Sequence, residues 1–121
     1  MSKTILVAED SSSVRKFITL ALKMKGYKIV ACEDGMAAME AFPKEKVDLL
    51  LTDLNMPNMD GLSLIRNVRQ NPAYQDLPII ILSSLSDEDD INAGLNAGAN
   101  SYLIKPFNQK KVQYEVSKYL G

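Results

Sequence analysis

Short apolar runs of strand length alternate with stretches of helical periodicity along the whole chain, and no other feature constrains its fold as strongly. Thr4-Ile5-Leu6-Val7-Ala8 is almost unbroken in its apolarity, as expected of a strand covered on both faces. Ser11-Ser12-Ser13 follows with hydroxyls suited to a helix N-cap, and Val14, Phe17, Ile18, Ala21 and Leu22 then recur at helical spacing until Gly26. The cycle repeats. Tyr27 to Cys32 reads as a second strand, and Asp34-Gly35 opens a helix carrying Met36, Met39 and Phe42, with Pro43 at its end. Val47 to Thr52 is the third strand, followed from about Gly61 by a helix with Leu64, Ile65 and Val68 on one side, broken by Asn71-Pro72. Pro78 to Ser83 and Asn100 to Ile104 are the fourth and fifth strands. Asp87 to Ala97, closed by Gly98, and Asn108 to Leu120 are the helices that follow them. The stripes Val14-Phe17-Ile18-Ala21 and Val112-Val116-Leu120 are expected to face the core.

Parallel strands require crossover connections, and right-handed crossovers place helices on both sides of the sheet. The alternation therefore predicts an α/β, doubly wound (βα)5 fold of the flavodoxin-like kind. One domain spans residues 1–121, without a linker, repeat or low-complexity segment. In such sheets a ligand site lies beyond the carboxyl ends of the strands.

Composition removes several function classes. The chain has 0 histidines, which excludes a Ser-His triad, a histidine metal site and a phosphohistidine carried by this chain. Net charge is −1 with no long basic run, so direct nucleic-acid binding is not expected. No stretch approaches the ~18 consecutive apolar residues of a membrane span, and the N-terminus carries no signal-peptide pattern, so a cytoplasmic location is expected. The single cysteine, Cys32, reads as a small buried hydrophobe and allows no internal disulfide.

The strand ends hold the chemistry. Glu9-Asp10 ends the first strand, Asp53 the third, Ser83-Ser84 the fourth and Lys105-Pro106 the fifth. Taken singly, Asp10 reads as a helix cap or loop acid, Lys105 as a surface lysine, and Asp60 before Gly61 as a turn and cap residue. Taken together, if these strands are neighbours, three carboxylates, a hydroxyl and an ammonium converge. Three clustered carboxylates raise one another's pKa unless a cation compensates, and hard oxygen ligands suit Mg²⁺. A carboxylate beside Mg²⁺ and a lysine is a phosphoryl-acceptor site, with a Ser83 hydroxyl placed for a phosphoryl oxygen.

The stretches "ILVAEDSSSVRK", "VDLLLTDLNMPNMDG", "PIIILSS" and "AGANSYLIKPF" closely resemble the receiver domain of two-component response regulators, above all the stand-alone chemotaxis, CheY-like branch. The resemblance covers about residues 3–120 and implies strand order 2-1-3-4-5. It implies further that Asp53 is the phosphoacceptor, and that Glu9, Asp10, Asp53 and the Asn55 backbone carbonyl hold Mg²⁺. Glu9 stands where many receivers have aspartate, so it is expected to reach the metal through water. Ser83 resembles the hydroxyl that follows the phosphoryl group, Ser84 the small residue beside it, Lys105 the phosphate-sensing lysine and Tyr102 the aromatic switch. Tyr102 read without the family is also a packed aromatic of the last strand. The Lys105-Pro106 peptide is cis in the family.

The implied partners are a CheA-like sensor histidine kinase as phosphodonor, a flagellar motor switch protein as target, and a phosphatase. A phosphorelay intermediate, a phosphate sink and a receiver excised from a longer regulator are the alternatives; Gly121 after the last helix is expected of a complete stand-alone protein, and an excised domain would end similarly. Leu85 is apolar where the best-known chemotaxis members carry an acid, and it is expected to slow self-dephosphorylation by shielding the phosphoryl group. Three rivals share parts of this pattern. A flavodoxin-like cofactor binder shares the rhythm, but Glu9-Asp10 would repel a phosphate held by Ser11-Ser12-Ser13. A haloacid-dehalogenase-type phosphatase would need its Asp-x-Asp after the first strand. An inert receiver would not need the full set of Glu9, Asp10, Asp53, Ser83 and Lys105.

Overall fold

Five parallel strands form one sheet in the order β2-β1-β3-β4-β5. The computed structural model describes residues 2–121. Its strands are β1 (Thr4–Ala8), β2 (Lys28–Cys32), β3 (Leu49–Asp53), β4 (Ile79–Ser83) and β5 (Ser101–Ile104). Each is followed by a helix: α1 (Ser12–Lys23), α2 (Gly35–Ala41), α3 (Gly61–Gln70), α4 (Glu88–Ala97) and α5 (Gln109–Leu120). The expected doubly wound order is the observed one.

Strand alternation sorts the core into two layers. Leu6, Ala8, Leu50, Ile79 and Ile81 point to one face, where Ala38 of α2 and Leu64, Ile65 and Val68 of α3 cover them. Ile5, Val7, Leu49, Leu51, Ile80 and Leu82 point to the other, against Ile18 and Leu22 of α1 and Val112 and Val116 of α5. β1, β3 and β4 are buried along their whole length, which is why they read as continuous apolar runs.

The helix starts are local and legible. Ser11 accepts from Val14 N at 3.4 Å, Asp34 from Ala37 N at 2.7 Å, Asp60 from Ser63 N at 2.8 Å and Asn108 from Lys111 N at 2.8 Å. Asp60 is therefore a cap, as its position before Gly61 suggested. Pro43 lies in a 3-10 turn, Phe42–Lys44, and the buried Phe42 belongs to that turn rather than to α2. β3 begins at Leu49 instead of Val47 and includes Asp53, so the acid is the last residue of the strand itself.

Phe17 departs from the expected core stripe. Ile18, Ala21 and Leu22 take the sheet-facing side of α1, which turns Phe17 to the rim, 40% exposed, its ring tilted against Phe107 with centroids 6.3 Å apart. Met36 likewise lies exposed in the first turn of α2. Cys32 is buried, and burial pushes its thiol above the ordinary range. No helix among the described residues is long and apolar enough to cross a membrane.

Candidate functional site

The carboxyl ends of β1, β3, β4 and β5 lie side by side because those strands are successive neighbours in the sheet. Glu9 is the first residue beyond β1, and its N–H still donates to the Cys32 carbonyl at 3.0 Å, which carries Glu9 straight up from the sheet edge. Asp10, one step on, is exposed, and the α1 cap is Ser11. The helix-cap reading of Asp10 therefore does not hold. Asp53 pairs in register with Leu82, which puts it beside the end of β4 and so beside Ser83. Lys105 follows β5 directly and donates its backbone N–H to the Ser83 carbonyl at 2.8 Å.

These placements bring charge together. Lys105 Nζ lies 2.7 Å from Glu9 Oε1 and 3.6 Å from Asp53 Oδ2. Carboxylate oxygens of Glu9, Asp10 and Asp53 all lie within 4.8 Å of one another. The remaining oxygens are directed by the backbone: Ser11 N donates to Glu9 Oε2 at 3.0 Å, and Leu54 N to Asp53 Oδ1 at 2.8 Å. Burial, above all, pushes the Glu9 carboxyl above its ordinary range. The bonds from Lys105 and Ser11 pull it back, and the charge of Asp53 pushes it up further.

Three hard carboxylate groups converging with one lysine fit a divalent cation of the Mg²⁺ class, which tolerates waters among its ligands. Each Glu9 oxygen already holds one donor and keeps a further lone pair that a water can use, in line with an indirect role for that residue. Asn55 lies exposed in the turn after β3. That turn closes through Met59 N to the Pro57 carbonyl at 2.7 Å and Gly61 N to the Leu54 carbonyl at 2.8 Å. A side chain at position 61 would run into the Asp53 carbonyl, so glycine there lets the turn fold back onto the strand end.

Ser83 is buried, and its Oγ accepts from Leu85 N at 3.1 Å. The Leu85 carbonyl accepts in turn from the Tyr102 hydroxyl at 2.9 Å. Ser83 at the site and Tyr102 on β5 are thus joined through the backbone of a single residue. Tyr102 is also packed against the core on the α4 side, so the packing reading and the hydrogen-bonding one both describe it. Ser84 is exposed and, with Lys105, lines an apolar cavity of about 420 Å³ walled by Val14, Phe17, Pro106 and Phe107. The Lys105-Pro106 peptide is cis.

Two contributors carry no signal at the strand ends. Arg15 reaches back from α1 to the Glu9 and Asp10 carbonyls at 2.7 and 3.4 Å, steadying the backbone of the acid pair. The Thr52 hydroxyl donates to the Asp53 carbonyl at 2.8 Å within the buried strand. The one cue for Arg15 is a long cation one turn into a helix that starts just after two acids.

The family model for the response regulator receiver domain matches residues 5–117. The chain is 35% identical over 116 residues to a probable transcriptional regulator, ycf27, of Porphyridium aerugineum, covering 96% of this chain and 47% of that protein. It thus spans less than half the length of that relative. It is also 35% identical over 119 residues to a chemotaxis protein CheY homologue of Campylobacter jejuni, covering 97% of this chain and 92% of that one. A solved receiver domain of a Pseudomonas aeruginosa sensor histidine kinase, with magnesium coordinated in its active-site cleft, superposes with a TM-score of 0.91 at 30% identity. That likeness covers 100% of this chain and 99% of the other. With the sheet order, the acid cluster and a match along nearly the whole sequence in agreement, this chain belongs to the response regulator receiver domain family of two-component systems.

Proposed function

We propose that residues 1–121 work as one receiver unit in which Asp53 accepts a phosphoryl group from a phosphohistidine on a separate sensor histidine kinase. The observation that carries this reading is the Lys105 ammonium, held at 2.7 Å from Glu9 and 3.6 Å from Asp53, with Asp10 in the same cluster. An Asp53 oxygen forms the new P–O bond as the donor P–N bond breaks, and the leaving imidazole is reprotonated from solvent. Lys105 meets the phosphoryl oxygens that arrive beside Asp53, and the Ser83 hydroxyl donates a hydrogen bond to one of them. Asp10, Asp53, the Asn55 carbonyl and, through water, Glu9 would hold Mg²⁺, which would supply charge neutralisation for those oxygens.

The product is a switch rather than a turnover enzyme. The Ser83 hydroxyl accepts from Leu85 N and keeps its own O–H to donate, so a phosphoryl oxygen that draws this hydroxyl inward draws the Leu85 backbone with it. Any shift of Leu85 is felt at Tyr102 through the bond to its carbonyl. The face built by α4, β5 and α5 thereby reports the state of Asp53. Slow self-dephosphorylation resets it, and Leu85, 38% exposed at the site rim, shields the phosphoryl group from water.

A stand-alone chemotaxis role in the cytoplasm, with a CheA-like kinase, a flagellar motor switch protein as target and a phosphatase, is supported by the match to nearly the whole Campylobacter homologue. The longer ycf27 relative supports the second reading, a receiver module of a larger regulator. Incubation with Mg²⁺ and acetyl phosphate tests the chemistry common to both. One acid-stable, base-labile phosphoryl group is expected on wild type and none on Asp53→Asn. Equal labelling of the two would overturn the assignment.

A further inference from the structure

The turn that follows Asp53 is held from outside by a contact that the phosphoacceptor reading does not use. Asn58 sits at φ 68, the non-glycine residue with positive φ among those described. Asparagine tolerates that left-handed conformation better than most side chains. Its Nδ2 donates to Asp34 Oδ2 at 2.6 Å. The other oxygen of the same carboxylate, Oδ1, caps α2 through Ala37 N at 2.7 Å. One side chain therefore starts a helix and grips the turn at once. The two bonds, Ala37 first and Asn58 second, hold the Asp34 carboxyl below its ordinary range.

The backbone presses on the same contact. A Cβ at Gly35, the first residue of α2, would meet the Met59 carbonyl, and would lie 2.8 Å from Met59 Cβ. The turn is thus clamped at Asn58-Met59 by the start of α2, and at its far end by Gly61 against Leu54. Asn55, whose carbonyl is the main-chain oxygen assigned to the cation, lies between the two clamps. Two residues, Met56 and Pro57, separate it from Asn58, too few for its carbonyl to keep its aim if Asn58 is released.

We infer that the Asp34–Asn58 hydrogen bond positions the turn that offers the Asn55 carbonyl, and so sets the affinity of the site for a divalent cation. The inference rests on the receiver reading above. Neither residue touches the cation or the phosphoryl group; both act through the backbone between them and Asn55.

Charge makes the test discriminating. Asn58→Asp sets two carboxylates face to face and breaks the bond, while adding negative charge on the side of the site. Charge alone would tighten cation binding; a misplaced carbonyl weakens it. Asp34→Asn combined with Asn58→Asp restores a donor–acceptor pair with its polarity reversed. It also keeps wild-type net charge, a good N-cap at 34 and a residue at 58 that tolerates the left-handed turn.

Mg²⁺ affinity is to be measured by calorimetry on wild type and both variants, at a temperature where thermal scans show all three folded. Asn58→Asp is expected to weaken binding about tenfold, at the low end of what outer partners of metal ligands cost, and the swapped pair to return to within about twofold of wild type. Unchanged or tighter binding in Asn58→Asp, or no recovery in the swapped pair, would overturn the inference while leaving the phosphoacceptor reading intact. Wild type that neither binds Mg²⁺ nor labels with acetyl phosphate would overturn both.

Discussion

Lys105→Met keeps most of the lysine stem and removes the charge that faces Glu9 and Asp53. At an effective dielectric of about 20, unit charges 2.7 and 3.6 Å apart attract by about 6 and about 5 kcal/mol. Those are gross values, offset largely by the water each group gives up on burial. What remains is the cost of stripping one partner from a buried pair, about 3–5 kcal/mol. The Lys105 side chain is 21% exposed, so solvent can enter part of the gap, which favours the low end of that range. We expect a loss of about 3 kcal/mol at pH 7 and a fall in thermal midpoint of about 10 °C.

The pH dependence follows from Glu9, which burial already holds above its ordinary 4.5. A carboxyl raised in the native state binds its proton more tightly folded than unfolded, so its contribution to stability falls as pH rises from the unfolded value through the native one. Removing Lys105 deletes the strongest force pulling Glu9 back down, so the fall becomes steeper. The deficit of Lys105→Met should therefore be small below pH 4.5 and grow above it. Urea unfolding followed by far-UV circular dichroism from pH 4 to 8, with chelator present, reads this directly. Added Mg²⁺ should then stabilise the variant more than wild type, because the cation no longer competes with an ammonium for the same oxygens. A loss as large at pH 4 as at pH 7, or equal stabilisation of both proteins by Mg²⁺, would refute the electrostatic account.

Gly94→Ala should destabilise although alanine is the better helix former by about 1 kcal/mol, because the new methyl runs into Ile81 Cδ1 beneath α4. Overpacking of that kind costs about 1–3 kcal/mol, and urea titration should show a net loss. Arg69→Leu should cost about 2 kcal/mol in the same titration, since Arg69 donates to the Gly98 carbonyl at 2.9 Å, the Tyr74 carbonyl at 2.7 Å and Asn100 Oδ1 at 2.9 Å. Asp34→Ala should destabilise at neutral pH and do so progressively less in acid. The native Asp34 carboxyl lies below its ordinary 3.8, so its contribution is present above that value and is lost as pH falls through the lower native one. Leu85→Glu should shorten the phosphoaspartate lifetime severalfold, measured by loss of label after the donor is removed, and an unchanged lifetime would remove the shielding role.

The fold was legible because its periodicities are produced by burial, and burial is written in side chains. β1, β3 and β4 read as unbroken apolar runs since both of their faces are covered, and four of the five helices, all but α4, start on a cap that the structure uses, at Ser11, Asp34, Asp60 and Asn108. Strand order was not legible from periodicity, which is the same for any winding; it came with the family resemblance. The error at Phe17 has a geometric origin. Ile18 and Phe17 differ by one step around α1, and only the packing of α1 on α5 and the sheet decides which of two neighbouring apolar residues faces inward.

The candidate site divides along the same line. Glu9, Asp10, Asp53, Ser83 and Lys105 could be picked out because each is a reactive side chain at a strand end, where a parallel sheet gathers such groups. Arg15 and Asn58 could not, because what they hold is main chain: the carbonyls of the acid pair in one case, a left-handed turn in the other. A carbonyl has no letter in a sequence, so the devices that aim it stay hidden until the backbone is traced. Pro57-Asn58 advertised a turn but not its partner, 24 positions earlier at Asp34. In a site whose charges come from side chains and whose geometry comes from backbone, sequence reveals the reactants first and the jig that holds them only afterwards.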